Sequence, residues 1–417
     1  MLLTATLLSA AVSAPAHAVN PVVQWNRTLL GIVRTPGAQP PTIHSTRSFA
    51  IMHAAIYDAV NAIAATHAPY AVSLSGVSPL SSQDGAAAAA AHGVLVTLYP
   101  AFQAQLDTAL QESLAQVADG TEKDAGVAIG ETVAARTIAL RADDGSSAQP
   151  APFVFGTEPG DYRSTPPNFP AQPQFTHWSA VRPFALVSAG QFRPGPPPPL
   201  ASRAYAVALD QVTSLGVANG TAATADQALA GRFWNGAIQN YWNEIAQTAA
   251  VGLDLSTADS ARLFALLDLT FADAVIAFYD AKYTYVLWRP VTAVREAAAD
   301  GNRRTDADPS WLPEVTNTPP DPTYPGAHAV ISSAGATVLS SVLGRDRFDV
   351  AVTSEVLAQV ERSFTRFSDV ASEASASRVF AGVHFGFDLT AGRRLGRQVA
   401  RFVTRRLLQP VAGPTAD

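Results

Sequence analysis

A long apolar segment followed by two cations constrains the fold of this chain more than any other feature. From Leu263 to Trp288 the sequence is strongly apolar, so a helix over this segment is buried on most of its sides. Lys282 lies within the segment, and Arg289 follows seven residues later. On a helix this spacing places both cations on one face, because seven residues make two turns. Arg289 precedes Pro290, which disfavours helical geometry, so we expect Arg289 at the helix end, facing a cavity.

Two interpretations of this cation pair are open. A Lys/Arg pair on a helix usually belongs to a solvated charged face. The apolar surroundings of Lys282 and Arg289 favour burial instead, and a buried cation needs an anionic partner. We therefore interpret KYTYVLWRP, residues 282–290, as the first of three segments that form an oxyanion site.

The composition limits the classes of function open to the chain. The 417 residues are 48% hydrophobic and 15% charged, enough for one large or two modest domains. The net charge of −6 gives no electrostatic footprint for nucleic acid or for an anionic membrane. The absence of cysteine excludes disulfides, thiol catalysis, iron–sulfur clusters and cysteine-ligated zinc.

The N-terminal segment predicts export. Residues 1–18 have an apolar core and end in the small-x-small sequence Ala16-His17-Ala18, which is typical of signal-peptidase sites. The usual basic residues at the start are missing, and a plain N-terminal helix is the alternative. No later apolar run reaches the ~18 to 20 uncharged residues that a membrane span needs. We expect an exported protein, periplasmic or extracellular, without a membrane span.

Helical periodicity predicts an all-α fold of two helical bundles. We divide the chain into residues 1–18 as the signal segment, 19–144 as the N-terminal bundle, 145–199 as a crossover, and 200–410 as the C-terminal bundle. The crossover is rich in proline, glycine and aromatics, so it cannot be helical for long, and we expect it to be ordered on the bundle surface. His53 and Asp58, on the first predicted helix, are interpreted as packing and hydrogen-bonding residues.

The second segment of the predicted site is Pro325-Gly326-Ala327-His328, at the start of a helix that we expect to end at Gly344. Proline is typical of the first helical turn, where the amides have no partner inside the helix. The amides of Gly326 and Ala327 can therefore bind an oxyanion. His328 can exchange a proton with a bound oxygen, although a structural core histidine is the alternative for this residue alone.

The third segment is SRVFAGVHFGFD, residues 377–388, which contributes Arg378, His384 and Asp388. A four-residue step brings His384 and Asp388 onto one helix face. If the carboxylate takes the Nδ1 proton, Nε2 becomes the free nitrogen, suited to be a nucleophile or a metal ligand. Three cations, two histidines and a helix N-terminus together favour a tetrahedral or trigonal-bipyramidal oxyanion, phosphate or vanadate.

The order K-x6-RP, P-x-x-H and SR-x5-H-x3-D resembles the signature of the superfamily shared by vanadium-dependent haloperoxidases and type-2 phosphatidic acid phosphatases. The sequences STRSFAIMHAAIYDAVNAI and QFRPGPPPPL are similar to proteins of the bacterial haloperoxidase branch. This resemblance implies an all-α fold of two helical bundles, with the oxyanion site inside the second bundle.

The resemblance also implies a vanadate cofactor and a role for each residue of the motifs. The implied vanadate-binding residues are Lys282, Arg289, Gly326, Ala327, Arg378 and His384. The arginines and the lysine neutralise the equatorial oxygens, and Gly326 supplies a backbone amide. His384 is the axial ligand of the metal, with Asp388 as its partner, and His328 is the acid and base.

Three functions remain open at this point. The first is oxidation of halide by hydrogen peroxide at the histidine-bound vanadate, with a small organic acceptor; the aromatic residues Tyr283, Tyr285 and Trp288 favour it. The second is an exported acid phosphatase, in which His384 attacks phosphorus, His328 protonates the leaving group, and a phosphohistidine is hydrolysed. The third is an oxyanion-binding protein without turnover. Helical bundles of this type often pair, so a homodimer is among the expected assemblies.

Two departures from the family pattern bear on the activity. The family usually has PSGH where this chain has Pro325-Gly326-Ala327-His328, so a serine contact to the oxyanion is missing. Asp321 lies near the position where chloroperoxidases place an aromatic residue at the halide pocket, and an ionised carboxylate there repels halide. We therefore expect bromide or iodide rather than chloride as the substrate. The acidic candidates for the outer-shell partner of His328 are Asp226, Glu244 and Asp273.

Overall fold

The computed structural model describes residues 20–411, and the predicted signal segment, residues 1–18, lies outside the described residues. Helices dominate the described chain, which confirms the predicted all-α class. The helices before the crossover are α1 (Pro21–Arg34), α2 (Ser45–Ala64), α3 (Gln83–Leu98), α4 (Gln103–Leu114) and α5 (Thr121–Arg141). Those after it are α6 (Arg203–Leu215), α7 (Ala225–Phe233), α8 (Ile238–Gly252), α9 (Thr257–Tyr285), α10 (Pro290–Arg295), α11 (Ala327–Leu343), α12 (Phe367–Phe380) and α13 (Gly386–Arg406).

Helix α2 lies in the centre of the N-terminal half. Its apolar residues recur every three or four positions and are buried against α3 and α9. His53 is buried and stacks on Phe264, with ring centroids 5.0 Å apart. The carboxylate of Asp58 accepts the amides of Tyr70, Ala71 and Val72. The interpretation of His53 and Asp58 as packing and hydrogen-bonding residues is confirmed.

The crossover, residues 145–199, is ordered and contains no α-helix, as its proline content predicts. Short 3₁₀ turns occur at Trp178–Ala180 and Ala189–Phe192. The buried carboxylate of Asp273 on α9 accepts the amides of Phe184, Ala185 and Leu186. These bonds fix the crossover against the longest helix of the described chain.

Helix α9 connects the two halves of the molecule. Ser256 caps its N-terminus through the amide of Asp259, and nearly all of its residues are buried. It packs against α2 on one side and against α11 and α13 on the other, within one hydrophobic core. Because that core includes helices from both halves, the division of the chain into two bundles stays a prediction.

The ends of α9 and α11 differ from the predicted geometry. Helix α9 ends at Tyr285, because Val286 adopts a left-handed conformation with φ of 48°. Arg289 is the N-cap of the separate helix α10, so the prediction that Lys282 and Arg289 share one helix face is wrong.

Helix α11 begins at Ala327 with Gly326 as its N-cap, so Pro325 precedes the first turn and does not belong to it. The placement of Pro325 inside the first turn is therefore wrong. The predicted stop at Gly344 is confirmed, since this residue has φ of +67°.

A β-hairpin between α11 and α12 was not predicted. Strands β1 (Arg347–Thr353) and β2 (Glu361–Arg366) pair antiparallel, with a bulge between Arg347 and Val350. Among the described residues no single helix is both long and apolar enough to cross a membrane, although the bent pair Gln83–Leu98 and Pro100–Leu114 passes when taken together.

Candidate oxyanion-binding site

A cavity of about 340 Å³ brings the three predicted segments together. The predicted residues that line it are Lys282, Arg289, Ala327, His328, Arg378 and His384. They come from α9, the N-terminus of α10, the first turn of α11, the end of α12 and the loop before α13. Residues separated by about a hundred positions in the sequence therefore line one cavity.

The cavity carries an excess of positive charge. Lys282, Arg289 and Arg378 are each at most 1% exposed. Among residues 20–411, the only carboxylate in the lining is that of Asp321. Burying a cation without a partner is costly, so a cavity with three cations and one carboxylate favours a ligand with about two negative charges.

Arg378 is the cation with the fewest partners. Its Nη1 donates to the Trp234 carbonyl at 3.4 Å and its Nη2 to Asn235 Oδ1 at 3.2 Å, while Nε has no protein partner. Within residues 20–411, no carboxylate lies within 4.0 Å of its guanidinium. Burial and then the charge of Arg289 lower the pKa of Arg378 to about 9. A bound oxyanion would offset the free-energy cost of burying this cation, because it would supply the missing acceptors.

Lys282 and Arg289 share Asp321. The Arg289 guanidinium donates to the Asp321 carboxylate and, through Nε, to the Asp321 carbonyl at 2.7 Å. Lys282 Nζ lies 3.6 Å from the same carboxylate and donates to the Pro322 and Thr323 carbonyls. Burial opposes ionisation of Asp321, but the charges of Lys282 and Arg289 hold its pKa below the ordinary value. The cavity therefore contains one fixed anion, as expected if Asp321 points inward.

The protonation of His384 is fixed from both sides of the ring. Nδ1 lies 2.9 Å from Asp388 Oδ2, which also accepts the Thr323 hydroxyl and the Phe385 amide. Nε2 lies 3.1 Å from Arg289 Nη1, and a guanidinium only donates. The proton therefore resides on Nδ1, and Nε2 presents a lone pair to the cavity. Burial and the charge of Arg289 lower the pKa of His384 well below its usual value, so the ring is neutral.

Asp388 serves as the orienting partner of His384. Burial raises the pKa of Asp388 to about 6, although the Thr323 hydroxyl and the Phe385 amide favour its ionised form. Its Oδ1 atom has no protein partner. The sequence prediction that a carboxylate accepts the Nδ1 proton is confirmed by this contact.

His328 is held by a backbone carbonyl and not by a carboxylate. Its Nε2 lies 2.8 Å from the Trp234 carbonyl, which can only accept, so Nε2 carries a proton and Nδ1 is the nitrogen left to exchange one. Burial and the charge of Arg378 lower the pKa of His328 well below its usual value. A neutral imidazole at this place can accept a proton from a bound ligand and return it.

The acidic residues considered as partners of His328 all lie elsewhere, so none of those candidates is correct. Asp226 pairs with Arg362, Glu244 with Arg34, and Asp273 with the amides of the crossover. The carbonyl that holds His328 belongs to the backbone, and a side-chain pattern gives no signal for it.

The start of α11 offers fewer free amides than the sequence predicts. The amide of Gly326 donates to the Asp388 carbonyl at 3.1 Å, so its predicted role as an oxyanion donor is wrong. Ala327 is the first residue of the helix and lines the cavity, and its amide needs a partner from outside the helix. A Cβ on Gly326 would lie 3.2 Å from Leu389 Cδ2 and 3.6 Å from His384 Nδ1. A serine at this position would therefore stand against His384.

The walls of the cavity also include residues from outside the three predicted segments. His44 and Ser45, at the start of α2, and Gln174 and Phe175, in the crossover, line it. His44 packs against Phe175 with ring centroids 5.2 Å apart. The N-terminal half and the crossover therefore contribute to the cavity walls together with the second predicted bundle. Helical periodicity could not reveal these residues, because they lie in loops and at a helix cap.

The arrangement suits the binding and polarisation of a tetrahedral oxyanion. Cations surround the cavity, His384 presents a neutral lone pair, and His328 can exchange a proton. Among the described residues no group of three or more His, Asp or Glu side chains is placed to hold a metal cation. The site therefore fits a metal that enters as an oxyanion better than a bare divalent cation.

The chain is similar to known proteins in sequence and in fold. Residues 262–413 match the family model of the second helical-bundle domain of vanadium chloroperoxidase (VCPO). The vanadium chloroperoxidase of Curvularia inaequalis is 26% identical over 375 residues, covering 70% of this chain and 61% of that protein. The chain thus spans about three fifths of the length of this relative.

Two solved structures share the fold across most of the chain. The crystal structure of a bacterial vanadium-dependent iodoperoxidase has a TM-score of 0.78 and 25% identity, covering 96% of this chain and 100% of that chain. The holo-type structure of a bacterial vanadium-dependent chloroperoxidase has a TM-score of 0.68 and 17% identity, covering 92% and 97%.

Proposed function

We propose that this chain, whose C-terminal part matches the second helical-bundle domain of the vanadium chloroperoxidases and whose fold resembles theirs, binds vanadate and oxidises iodide or bromide with hydrogen peroxide. The observation that carries this proposal is the excess of buried positive charge around one cavity. Lys282, Arg289 and Arg378 face a single carboxylate there, and Arg378 has none of its own. A vanadate dianion would offset this charge.

The residues present fit vanadate in charge and in donor set. Lys282, Arg289 and Arg378 would hold its oxygens, and the first-turn amide of Ala327 is available as a further donor. His384 would bind through Nε2, whose lone pair is defined by the proton on Nδ1. Vanadate, when bound, supplies a Lewis acid that activates hydrogen peroxide toward halide.

The protein's own part in the reaction is to hold charge, orient His384 and move protons. His328, with Nε2 donating to the Trp234 carbonyl, can take a proton at Nδ1 from an incoming ligand and return it to the product. Because the pKa of His328 is well below its usual value, the ring is neutral at neutral pH and Nδ1 carries no proton. Asp388 keeps the His384 ring in one tautomer throughout.

Two observations support iodide or bromide over chloride. Asp321 is ionised and buried beside the cations, so it opposes the entry of any halide into the cavity. Chloride is the most strongly hydrated of the three halides and the hardest to oxidise, so this opposition affects it most. One structural neighbour with a similar fold is an iodoperoxidase.

A paired assay on the purified full chain tests the proposal. Oxidation of iodide and bromide is measured with vanadate and hydrogen peroxide, and p-nitrophenyl phosphate hydrolysis is measured without vanadate. We expect vanadate-dependent halide oxidation that His384→Ala abolishes. His92→Ala is the matched control, because His92 lies on α3, outside the cavity lining, and pairs with Asp107.

Either of two results would replace the proposal. Phosphatase activity inhibited by vanadate, without halide oxidation, would make the protein a phosphatase on this fold. Vanadate binding without either activity would make it an oxyanion-binding protein.

The Asp321→Asn variant tests the origin of halide choice. Removing the carboxylate charge keeps the side-chain shape and lowers the barrier to halide entry. We expect kcat/KM for bromide to rise relative to iodide by about tenfold, which corresponds to ~1.4 kcal/mol. An unchanged ratio would show that Asp321 does not control the choice.

We also propose export to the periplasm or beyond, on the basis of residues 1–18, and a small organic acceptor for the oxidised halogen. Sequencing the N-terminus of the secreted protein tests cleavage after Ala18. A homodimer remains a proposal, and sedimentation of the full chain tests it.

A further inference from the structure

A second cavity, larger than the oxyanion site, lies on the outer face of the C-terminal helices. It is a groove of about 570 Å³ between α9, α11, α12 and α13, and it shares no lining residue with the oxyanion cavity. Its charged lining consists of Arg262, Arg393, Arg397, Arg401, Arg405 and Asp346. The groove is therefore separate from the oxyanion site.

The arginines form a regular stripe, which we call the arginine groove. Arg393, Arg397, Arg401 and Arg405 follow one another in four-residue steps on α13, so they lie along one face of this helix. Each step is about 6 Å and the whole stripe is about 18 Å long. Arg262 of α9 approaches from the opposite side, and its Nε donates to the Leu408 carbonyl. The stripe therefore presents several cations along a line.

These cations are not neutralised within the described chain. Within residues 20–411, none of the five arginines lies within 4.0 Å of a carboxylate. Asp346, the one acidic residue in the groove, is bound by the amide and hydroxyl of Ser368 and lies 3.7 Å from Arg366. Burial and the charge of Arg397 lower the pKa of Arg393. A chain with a net charge of −6 thus keeps one strongly positive groove.

The groove lining also contains hydroxyl groups that can accept hydrogen bonds. Thr337 donates its hydroxyl proton to the Ser333 carbonyl at 2.7 Å. Ser372 and Thr404 donate theirs to carbonyls four residues earlier, at 2.7 and 2.8 Å. Each oxygen keeps lone pairs that can accept from a ligand. The groove thus offers guanidinium groups that can donate to the anionic groups of a ligand, and hydroxyl oxygens that can accept hydrogen bonds from it.

We propose that the arginine groove binds an acidic saccharide, a linear sugar chain that carries carboxylate or sulfate groups. The anionic groups pair with the arginines, and the sugar hydroxyls donate to Thr337, Ser372 and Thr404. Polyphosphate has the charges but no hydroxyl donors. Single-stranded nucleic acid binds through base stacking on aromatic side chains, and none of the described residues that line the groove is aromatic.

Titration of the full chain with an oligogalacturonate, by calorimetry at an ionic strength of about 0.15 M, where charges more than about 8 Å apart are largely screened, tests this proposal. We expect the double substitution Arg397→Glu and Arg401→Glu to weaken binding by at least about tenfold. The matched control is Arg394→Glu with Arg406→Glu, which makes the same charge change on the same helix. Both control residues are exposed and lie outside the groove lining, so binding should change by less than about twofold.

The Thr337→Val variant separates a saccharide from other polyanions and leaves the charge of the protein unchanged. It removes one acceptor, so we expect weaker binding of oligogalacturonate and unchanged binding of polyphosphate. It also keeps the test decisive if the double arginine variant does not fold.

Three outcomes would overturn the proposal. The first is the absence of oligogalacturonate binding by the unchanged protein. The second is an equal loss of binding in the groove variant and in its control. The third is tighter binding of polyphosphate or of a single-stranded oligonucleotide, which would make the groove a site for another polyanion.

Discussion

Arg289 Nη1 donates to His384 Nε2 over 3.1 Å, so the nitrogen that would bind vanadium is already paired with a cation of the same site. The guanidinium thus occupies the lone pair of His384 with a hydrogen bond. Because Arg289 also holds Asp321, binding of an oxyanion requires the guanidinium to redistribute its hydrogen bonds. The geometry of His384 therefore depends on Asp388 from behind and on Arg289 from the front.

Replacing Asp388 with Asn should impair vanadate binding through the tautomer of His384. An Asn amide can donate to Nδ1, which would move the imidazole proton to Nε2 and remove the lone pair. We expect the vanadate affinity to fall by roughly 10- to 100-fold. Vanadate titration followed by recovery of halide oxidation measures this loss.

The control for Asp388→Asn is Asp58→Asn. Asp58 is equally buried and accepts three backbone amides, but it lies outside the oxyanion cavity. Its substitution should lower the melting temperature and leave the vanadate affinity unchanged. Equal affinity losses in both variants would show that Asp388 acts through stability alone.

Arg378 should lower the free energy of unfolding of the vanadate-free protein and strengthen the binding of vanadate. Since it is buried without a carboxylate partner among the described residues, Arg378→Leu should raise the free energy of unfolding of the vanadate-free protein. The same change should weaken vanadate binding by about 1.5–3 kcal/mol, the range for a lost hydrogen bond to a charged group. Chemical denaturation with and without vanadate measures both effects.

Arg362→Leu provides the comparison for Arg378. Arg362 pairs with Asp226 and Glu373, so its loss should destabilise the protein and leave vanadate binding intact. If Arg378→Leu destabilised the vanadate-free protein as well, the buried guanidinium would have to be stabilised by its contacts with Trp234 and Asn235 alone.

Sequence reasoning succeeded where a signal is local. Gly344 ends α11, and Asp388 reaches His384 across one helical turn, because caps and four-residue steps depend only on neighbours in the chain. Six of the residues carried over from the motifs also line one cavity. Each motif fixes its own short element, and the fold brings the elements together.

The remaining features depend on tertiary contacts that no local pattern encodes. The Trp234 carbonyl reaches His328 across 94 positions, and any residue type would supply that carbonyl. His44 and Gln174 reach the cavity from a cap and a loop. The helix break at Val286 requires a left-handed conformation that valine rarely adopts, so periodicity predicted an unbroken helix there.

Lys282 should give oxyanion binding an alkaline limit. Burial is the main cause that lowers the pKa of Lys282 to about 8, so in the free protein the amine is charged below about pH 8 and neutral above it. We expect the affinity for sulfate, whose own charge is constant over this range, to fall as the pH rises through about 8. Calorimetric titration across this range measures the effect.

Lys282→Arg is the informative variant, because a guanidinium stays charged throughout this pH range. The alkaline fall in sulfate affinity should disappear, whatever the affinity of the variant at neutral pH. An unchanged fall would assign the titration to another group.

A second buried polar cluster, outside the lining of the oxyanion cavity, should make the stability of the protein fall as the pH rises above about 4. Asp268 is buried, accepts from Asn243 Nδ2 at 3.1 Å and lies 3.6 Å from His53 Nε2. Burial raises the pKa of Asp268 well above its ordinary value, and burial lowers the pKa of His53 to about 3. The folded protein therefore holds both groups neutral, and the contribution of Asp268 to stability is lost as the pH rises through its folded pKa.

Asp268→Asn removes this penalty because the amide is neutral at every pH and has nearly the same shape. We expect the free energy of unfolding of the variant to exceed that of the unchanged protein by at least ~1 kcal/mol near pH 8, and the difference to shrink toward pH 4. Asp273→Asn should instead destabilise at neutral pH, since the Asp273 carboxylate accepts three crossover amides. If Asp268→Asn destabilised the protein at all pH values, Asp268 and His53 would have to form a buried ion pair, which contradicts the neutral assignment.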